Sequence, residues 1–311
     1  MKKNVKIFLM VPVLIIGLIS CTRSSSSVGS SSRAIIGSTE NQDKKNIPND
    51  ESDFQVTLTT DNMGVVISKY TGKKAEVVIP EIIQNMPVRE IGDNAFYDPY
   101  LTGVYNYVTM VVIPEGVTRI GSSAFRECNH LNSIILPSTL KVIEFGVFYD
   151  CSMLSSIDLP SGLLEIGDCT FWQCKALLSI NLPSTIKKIG SDAFRSSGLA
   201  SFPNPWPIEL TSIANGMFEN ALFNDLILPD GITSVGSGAF SFCRNLTNVT
   251  LPFTIQTLDT NAFRGCRSLT NVNIPESVQS IGFDFWVFES CSNIDLKSQA
   301  RLKQLGYTGN F

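Results

Sequence analysis

The chain has 311 residues, of which 43% are hydrophobic and 17% charged, and its formal net charge is −4. This apolar content supplies a large core and excludes wholesale disorder. The small negative charge argues against nucleic acid, which requires a concentrated basic surface. His130 is the single histidine, so mechanisms that need two imidazoles, including most zinc hydrolase sites, are excluded. We expect no enzymatic activity and no cofactor.

The N-terminus carries an export signal. A basic start precedes an apolar run from Ile7 to Ile19, which is too short to span a bilayer but has the length of a signal-peptide core. The run ends in LISC, closing at Cys21, and this resembles the lipobox of bacterial lipoproteins. The resemblance implies that residues 1–20 are removed and that Cys21 receives a lipid. An ordinary secretory signal with an incidental cysteine is the alternative.

Residues 21–53 form the second segment. They are rich in serine and other polar residues, and such a composition cannot bury enough apolar area to offset chain entropy. We therefore predict a flexible tether here, with the folded part beginning near Phe54.

A repeat of 23 residues fills the rest of the chain, and three residue types share its period. The prolines are Pro114, Pro137, Pro160, Pro183, Pro229, Pro252 and Pro275. The phenylalanines are Phe125, Phe148, Phe171, Phe194, Phe218, Phe240 and Phe263, and the first cysteines are Cys128, Cys151 and Cys174.

One unit reads LxxIxLPxxLxxIGxxAFxxC. Its LxxIxL part predicts a short parallel strand with the three apolar residues pointing inward, and proline then ends the strand. A recurrent glycine, as at Gly121 and Gly167, suits a tight bend on the far side of each coil. We expect the Phe of each unit to fill the core.

The repeat resembles the BspA-type leucine-rich repeats over about Phe54 to Cys291. The resemblance implies a right-handed leucine-rich repeat solenoid of the α/β solenoid class, β-rich with little helix, and a parallel β-sheet on its concave face. We divide the chain accordingly: an N-terminal hairpin and capping repeat at 54–79, the solenoid at 80–297, and a C-terminal cap at 298–311.

Three segments depart from the pattern. Between Pro80 and Pro114 an insertion of 11 residues adds to one period, and this region contains Tyr97, Tyr100, Tyr105 and Tyr107. One unit is distorted around Pro203, Pro205, Trp206 and Pro207. The stretch from Asp295 to Leu305, stopped by Gly306, predicts a terminal helix or an irregular cap, because solenoid ends must be covered.

Six cysteines occupy one repeated position. Equivalent residues on adjacent coils lie about 4.8 Å apart with parallel side chains, so we favour a ladder of buried thiols, with disulfides as the alternative. Cys169 lies outside this ladder and has no assigned role. None of the cysteines has the spacing of a zinc site.

The third and fifth residues of each LxxIxL strand are expected on the exposed, concave side. Val78, Met110, Val112 and Ile135 predict a contiguous apolar strip, which is typical of protein interfaces. The alternative is that strand surfaces simply favour such residues. The candidate partner-binding residues are Val78, Met110, Val112, Ser133, Ile135, Ser156, Asp158, Ser179 and Asn181, with Tyr105 and Tyr107 at the margin.

The family resemblance implies adhesion to host extracellular-matrix or bacterial surface proteins. The predicted protein is non-enzymatic, displayed on the bacterial cell envelope, on the outer membrane or cell surface, and attached to the membrane only through its lipid. A structural role in the envelope and carbohydrate binding are the alternatives.

Overall fold

The structure is a computed structural model and describes residues 47–97 and 107–311. It forms a β-solenoid of stacked parallel strands with little helix, which confirms the predicted fold class. The strands are β1 Phe54–Leu58, β2 Val65–Tyr70, β3 Glu76–Val78, β4 Ile82–Ile83, β5 Met86–Ile91, β6 Met110–Val112, β7 Arg119–Ile120, β8 Ser133–Ile135, β9 Val142–Ile143, β10 Glu165–Ile166, β11 Lys188–Ile189, β12 Ser212–Ile213, β13 Asp225–Ile227, β14 Ser234–Val235, β15 Asn248–Thr250, β16 Thr257–Leu258, β17 Asn271–Asn273 and β18 Gly282–Phe283.

These strands form two columns. The first column contains the LxxIxL strands, paired in the order β3-β6-β8 and again β13-β15-β17. The second column was not predicted and contains the residues just before the recurrent glycine, in the orders β2-β5-β7-β9-β10-β11 and β12-β14-β16-β18. The structure therefore adds a second set of sheets to the predicted one, because each coil passes through two extended segments that stack separately.

The recurrent glycines are required by close approach of neighbouring coils. Gly167 and Gly236 do not adopt the left-handed conformation that a glycine bend would use. A Cβ on Gly236 would lie 2.8 Å from the Ile213 carbonyl oxygen, and one on Gly167 would lie 2.6 Å from the Phe145 nitrogen. The predicted bend is corrected accordingly: glycine is needed here because the preceding coil leaves no room for a side chain.

The repeated phenylalanines form a continuous buried stack, as predicted. Phe171 is 0% exposed, and its ring centroid lies 5.4 Å from that of Phe148 and 5.4 Å from that of Phe194. At the N-terminal end Tyr70 continues the stack, and at the C-terminal end Tyr307 covers Phe288 edge-on at 5.5 Å. Each coil thus buries its aromatic ring only against its neighbours, the arrangement that makes repeat stability a nearest-neighbour property.

Around the stacked phenylalanines each coil makes a turn, and these turns are joined by their own hydrogen bonds. Residues two before and two after the Phe have positive φ, as at Ser123 (56°) and Glu127 (57°) on either side of Phe125. The N–H groups of these three residues all donate to carbonyls of the next coil. The same pattern recurs along the solenoid and defines what we call the turn ladder.

Both ends of the solenoid are covered. At the N-terminus β1 pairs antiparallel with β2, in the region where a hairpin was expected. At the C-terminus helix α1, Leu296–Gln304, begins two residues before the predicted boundary; Asp295 caps it by accepting from the Ser298 N–H, and Gly306 follows with φ of 107°. Within the described residues, no helix has the length and apolar character that a membrane span requires.

Candidate protein-binding surface

The predicted apolar strip is brought together by strand register. Val78, Val112 and Ile135 are direct cross-strand partners in β3, β6 and β8 and therefore form one row. Met110 stands in the adjacent row, between Glu76 and Ser133. Ile135 is 52% exposed, while Val78, Met110 and Val112 are half-buried. We call the exposed side chains of the first column the strand face.

The middle of the strand face differs from the prediction. Ser156, Asp158, Ser179 and Asn181 are exposed as expected, but their segments are not strands. Within the described part of the chain, residues 155–159 and 179–182 make no backbone–backbone hydrogen bonds. The strand prediction is wrong for these two coils because the apolar pattern places side chains inward without fixing the separation between neighbouring backbones.

Beyond the distorted unit the strand face is paired again and becomes polar. Asp225, Asn248 and Asn271 are cross-strand partners, and the Asn248 Nδ2 donates to the Asp225 Oδ1 at 2.6 Å. Ile227, also in β13, is 68% exposed. The strand face therefore carries an apolar row at its N-terminal end and a polar row with one exposed isoleucine towards its C-terminal end.

Of the two tyrosines predicted at the margin of the strand face, the structure describes one, Tyr107. Tyr107 is half-buried, and its hydroxyl donates to the Gly72 carbonyl at 3.0 Å. Burial raises the pKa of Tyr107, so it remains a neutral hydrogen-bonding group. Tyr100 and Tyr105 lie outside the described residues. Tyr97 belongs to the turns, because it directly follows Phe96 of the stack.

Sequence reasoning missed a column of side chains on the turns, formed by the residue that follows each stacked Phe. The Arg126 guanidinium lies between two aromatic rings, 5.3 Å from Tyr97 and 4.6 Å from Tyr149. Tyr149 and Trp172 follow at 5.3 Å between centroids, and Arg195 covers Trp172 at 4.6 Å. The residue type changes from coil to coil, so only alignment on the phenylalanines reveals this column.

The ladder cysteines are buried free thiols. Each Sγ donates to the carbonyl oxygen of a Phe in the preceding coil; the Cys151 Sγ lies 3.1 Å from the Phe125 oxygen. Burial raises the pKa of Cys128 and of Cys243 to about 12, so these thiols are poor nucleophiles and metal ligands. Within the described residues, no group of His, Cys, Asp and Glu is arranged to hold a metal ion.

Cys169, which had no predicted role, occupies the left-handed position two residues before Phe171, with φ of 57°. Other coils place Gly146, Asp192 or Gly216 there. Burial, with the nearby Asp192 carboxylate, raises the pKa of Cys169 to about 11. The position is part of the turn ladder, and its thiol is not activated. His130 is exposed, in keeping with a solvated loop residue.

Comparison with known proteins identifies the repeat. A family model described as the BspA type leucine rich repeat region matches residues 89–220 and 211–307 in six copies. No curated protein matches the chain.

Similar solved structures include three bacterial proteins. The T. pallidum leucine rich repeat protein shares 29% identity, with 85% of this chain and 99% of that chain covered and a TM-score of 0.44. A leucine-rich repeat protein from Bacteroides ovatus shares 22%, covering 78% and 80%, with a TM-score of 0.45. The pneumococcal vaccine antigen PcpA shares 20%, covering 80% of each chain, with a TM-score of 0.48.

Proposed function

Because the chain belongs to the BspA-type leucine-rich repeat family, we propose that it is a non-enzymatic protein that binds host or bacterial surface proteins through its strand face. The observation that carries this proposal is the apolar row of Val78, Val112 and Ile135, with Met110 beside it. Neighbouring apolar side chains that stay partly accessible to solvent, here three half-buried ones beside the exposed Ile135, are typical of protein interfaces.

The physical character of the row predicts how it binds. Its members are fixed by parallel pairing of β3, β6 and β8, so little side-chain or backbone order has to be gained on association. Glu76 is the one charged side chain among its cross-strand neighbours. We therefore expect the binding to depend only modestly on salt, because few charges are screened.

The test is binding of the full chain to a panel of host matrix and bacterial surface proteins. The strip variant changes Met110, Val112 and Ile135 to serine, and the control variant makes the changes Thr250→Ser and Asn273→Ser on the polar part of the same face. We expect saturable binding that the strip variant loses and the control retains, with both variants showing the wild-type circular dichroism spectrum and thermal midpoint.

Other outcomes contradict the proposal in different ways. Binding that survives in the strip variant would exclude the apolar row as the contact. Absence of binding to every panel member would contradict adhesion and favour the structural envelope role. Binding only to glycans would favour the carbohydrate alternative.

We extend the proposal to the cellular location, for which the support is the LISC sequence at Cys21, outside the described residues. The protein is exported, lipid-modified on Cys21 and held at the outer surface by this anchor. The change Cys21→Ala is expected to release the protein from the membrane fraction, and protease added to intact cells is expected to remove the wild-type domain. Continued membrane association of the variant, or protection from protease, would contradict these two steps respectively.

A further inference from the structure

The distorted unit builds a cleft on the strand face that the apolar row does not include. The cleft has a volume of about 310 Å³ and is lined by Phe202, Pro203, Asn204, Trp206, Asp225, Ile227 and Pro229. Its residues come from two successive coils, the proline-rich one and the coil of β13. Ile227 stands at its edge with 68% of its surface exposed.

The aromatic wall of the cleft is fixed by packing against the core and by a hydrogen bond. The rings of Phe202 and Trp206 are stacked at 5.1 Å, and Phe202 packs against Phe218 of the buried stack at 5.5 Å. The Trp206 Nε1 donates to the Leu210 carbonyl at 2.9 Å, which fixes the indole. A wall anchored in this way is preformed, as ligand pockets usually are.

The electrostatic surroundings select a cationic partner. Between Arg195 and Arg244, residues 196–243 contain four carboxylates, Glu209, Glu219, Asp225 and Asp230, and no lysine or arginine. Glu219 is paired with Arg195 at 2.9 Å, but among the described residues Glu209, Asp225 and Asp230 have no ion-pair partner. Asp225 lines the cleft itself, so a carboxylate and an aromatic face, both of which attract cations, are adjacent.

The cleft therefore combines an apolar pocket with the Asp225 carboxylate, which has no ion-pair partner among the described residues. The Asp225 Oδ1 accepts from the Asn248 Nδ2 at 2.6 Å, but this donor is neutral and leaves the negative charge uncompensated.

We propose that this cleft binds a peptide segment of a protein partner in which an aliphatic or aromatic side chain stands next to a lysine or arginine. The apolar side chain enters between the Phe202–Trp206 pair and Ile227, and the neighbouring cation meets the Asp225 carboxylate. The inference rests on the proposed function in one respect, that the strand face binds protein, but it uses different residues.

The test is a fluorescence-anisotropy titration of the full chain with the labelled peptide GSKFKSG. The peptides GSEFESG and GSKSKSG remove the cations and the apolar side chain respectively. We expect saturable binding of GSKFKSG that weakens as salt increases, and binding about tenfold weaker for each of the other two, because each lacks one half of the recognition.

Matched variants locate the site. Ile227→Ser is expected to weaken GSKFKSG binding about tenfold, and Asp225→Asn about threefold with a smaller salt dependence. Thr250→Ser and Asn273→Ser are controls, because they occupy the position of Ile227 in the two following coils, and they are expected to leave binding unchanged. All four positions are on the surface of the strand face, and thermal midpoints verify that each variant is folded.

Failure of this inference can be told apart from failure of the proposed function. Absence of saturable GSKFKSG binding, equal binding of GSEFESG, or equal weakening by the controls would overturn the cleft proposal. None of these results bears on the strip variant, whose loss of surface-protein binding would still support adhesion through the apolar row.

Discussion

The guanidinium of Arg195 lies 4.6 Å from the ring centroid of Trp172 in one neighbouring coil, and its Nη2 donates to the Glu219 Oε1 of the other neighbour at 2.9 Å. One side chain thus connects three consecutive coils on the turns. Its Nη1 and Nη2 donate to Asp192 and Glu219 and its cationic face covers Trp172, so we assign this column to stability. The exposed strand face, with its unpaired carboxylates and apolar side chains, is the surface left for partners.

The first prediction concerns this connection. Arg195→Lys retains the charge but loses the planar fork that reaches Asp192 and Glu219 and the stacking on Trp172. We expect the free energy of unfolding to fall by about 1 kcal/mol, measured by urea denaturation. Arg244→Lys is the control, because Arg244 is exposed and has no ion pair among the described residues. An equal effect in the two variants would contradict the structural role of Arg195.

The second prediction concerns the phenylalanine stack. Phe171→Ala removes a fully buried ring with partners on both sides, and we expect a loss of about 3–5 kcal/mol in the free energy of unfolding. Phe253→Ala, at a ring that is 58% exposed, should cost less than about 0.5 kcal/mol. A denaturation midpoint unchanged by Phe171→Ala would be incompatible with this repeat register.

The third prediction separates two glycines of one coil. Gly167→Ala places a methyl group against the backbone of Glu144 and Phe145, and we expect a cost of about 1–3 kcal/mol. Gly162→Ala meets the Nζ end of Lys141, a flexible chain that can move away, so its cost should be below about 0.5 kcal/mol. Thermal unfolding of both variants checks the difference, and a stable Gly167→Ala protein would show that the coils can separate.

The fourth prediction concerns pH. Burial raises the pKa of Cys128 to about 12 from an ordinary value of 9.0, and burial also raises the pKa of Cys151 well above that ordinary value. Each thiol therefore contributes stability that is fully present below the unfolded-state pKa. This contribution is lost as the pH rises above about 9, where the unfolded chain deprotonates and the folded one does not.

The measurement compares wild type with Cys151→Ala in reductant, by urea unfolding between pH 7 and pH 10.5. Ala221 already occupies the equivalent position in another coil, so alanine is compatible with the ladder. We expect the wild type to lose about 2 kcal/mol more than the variant over this range. Parallel pH profiles would mean that the Cys151 thiol titrates normally in the folded protein.

Much of the fold could be predicted from the sequence because its determinants are residues of one type at a fixed interval. Phenylalanine, proline and cysteine recur every 23 residues, and each marks a chemically distinct place in the coil. The second strand column could not be predicted in the same way. Its strands are pairs such as Glu165–Ile166 and Lys188–Ile189, in which the first residue varies and two residues are too few to show a period.

The candidate site was predictable in part. Register follows from the repeat, so the row of Val78, Val112 and Ile135 could be predicted from the sequence. The cleft at Trp206 was not, because the proline-rich segment departs from the repeat, and nothing in the pattern specifies where its aromatic rings pack. The positive-φ positions could not be predicted because no single residue type marks them: asparagine, serine, glycine, cysteine and aspartate all occupy them.

The turn ladder also has an electrical direction. In each linked peptide unit the carbonyl accepts from the preceding coil and the N–H donates to the following one, as at residues 122–123, where Asn94 N–H donates to the Ser122 carbonyl and Ser123 N–H to the Phe145 carbonyl. The peptide dipoles are therefore aligned head to tail, as in a helix, and they add. The turns at the C-terminal end therefore carry positive partial charge and those at the N-terminal end negative partial charge. Peptide units of the second column point the other way, as at residues 120–121, where the Gly121 N–H donates to the Ile91 carbonyl of the preceding coil and the Ile120 carbonyl accepts from the Glu144 N–H of the following one, so the polarity belongs to the turns and is opposed on the neighbouring face.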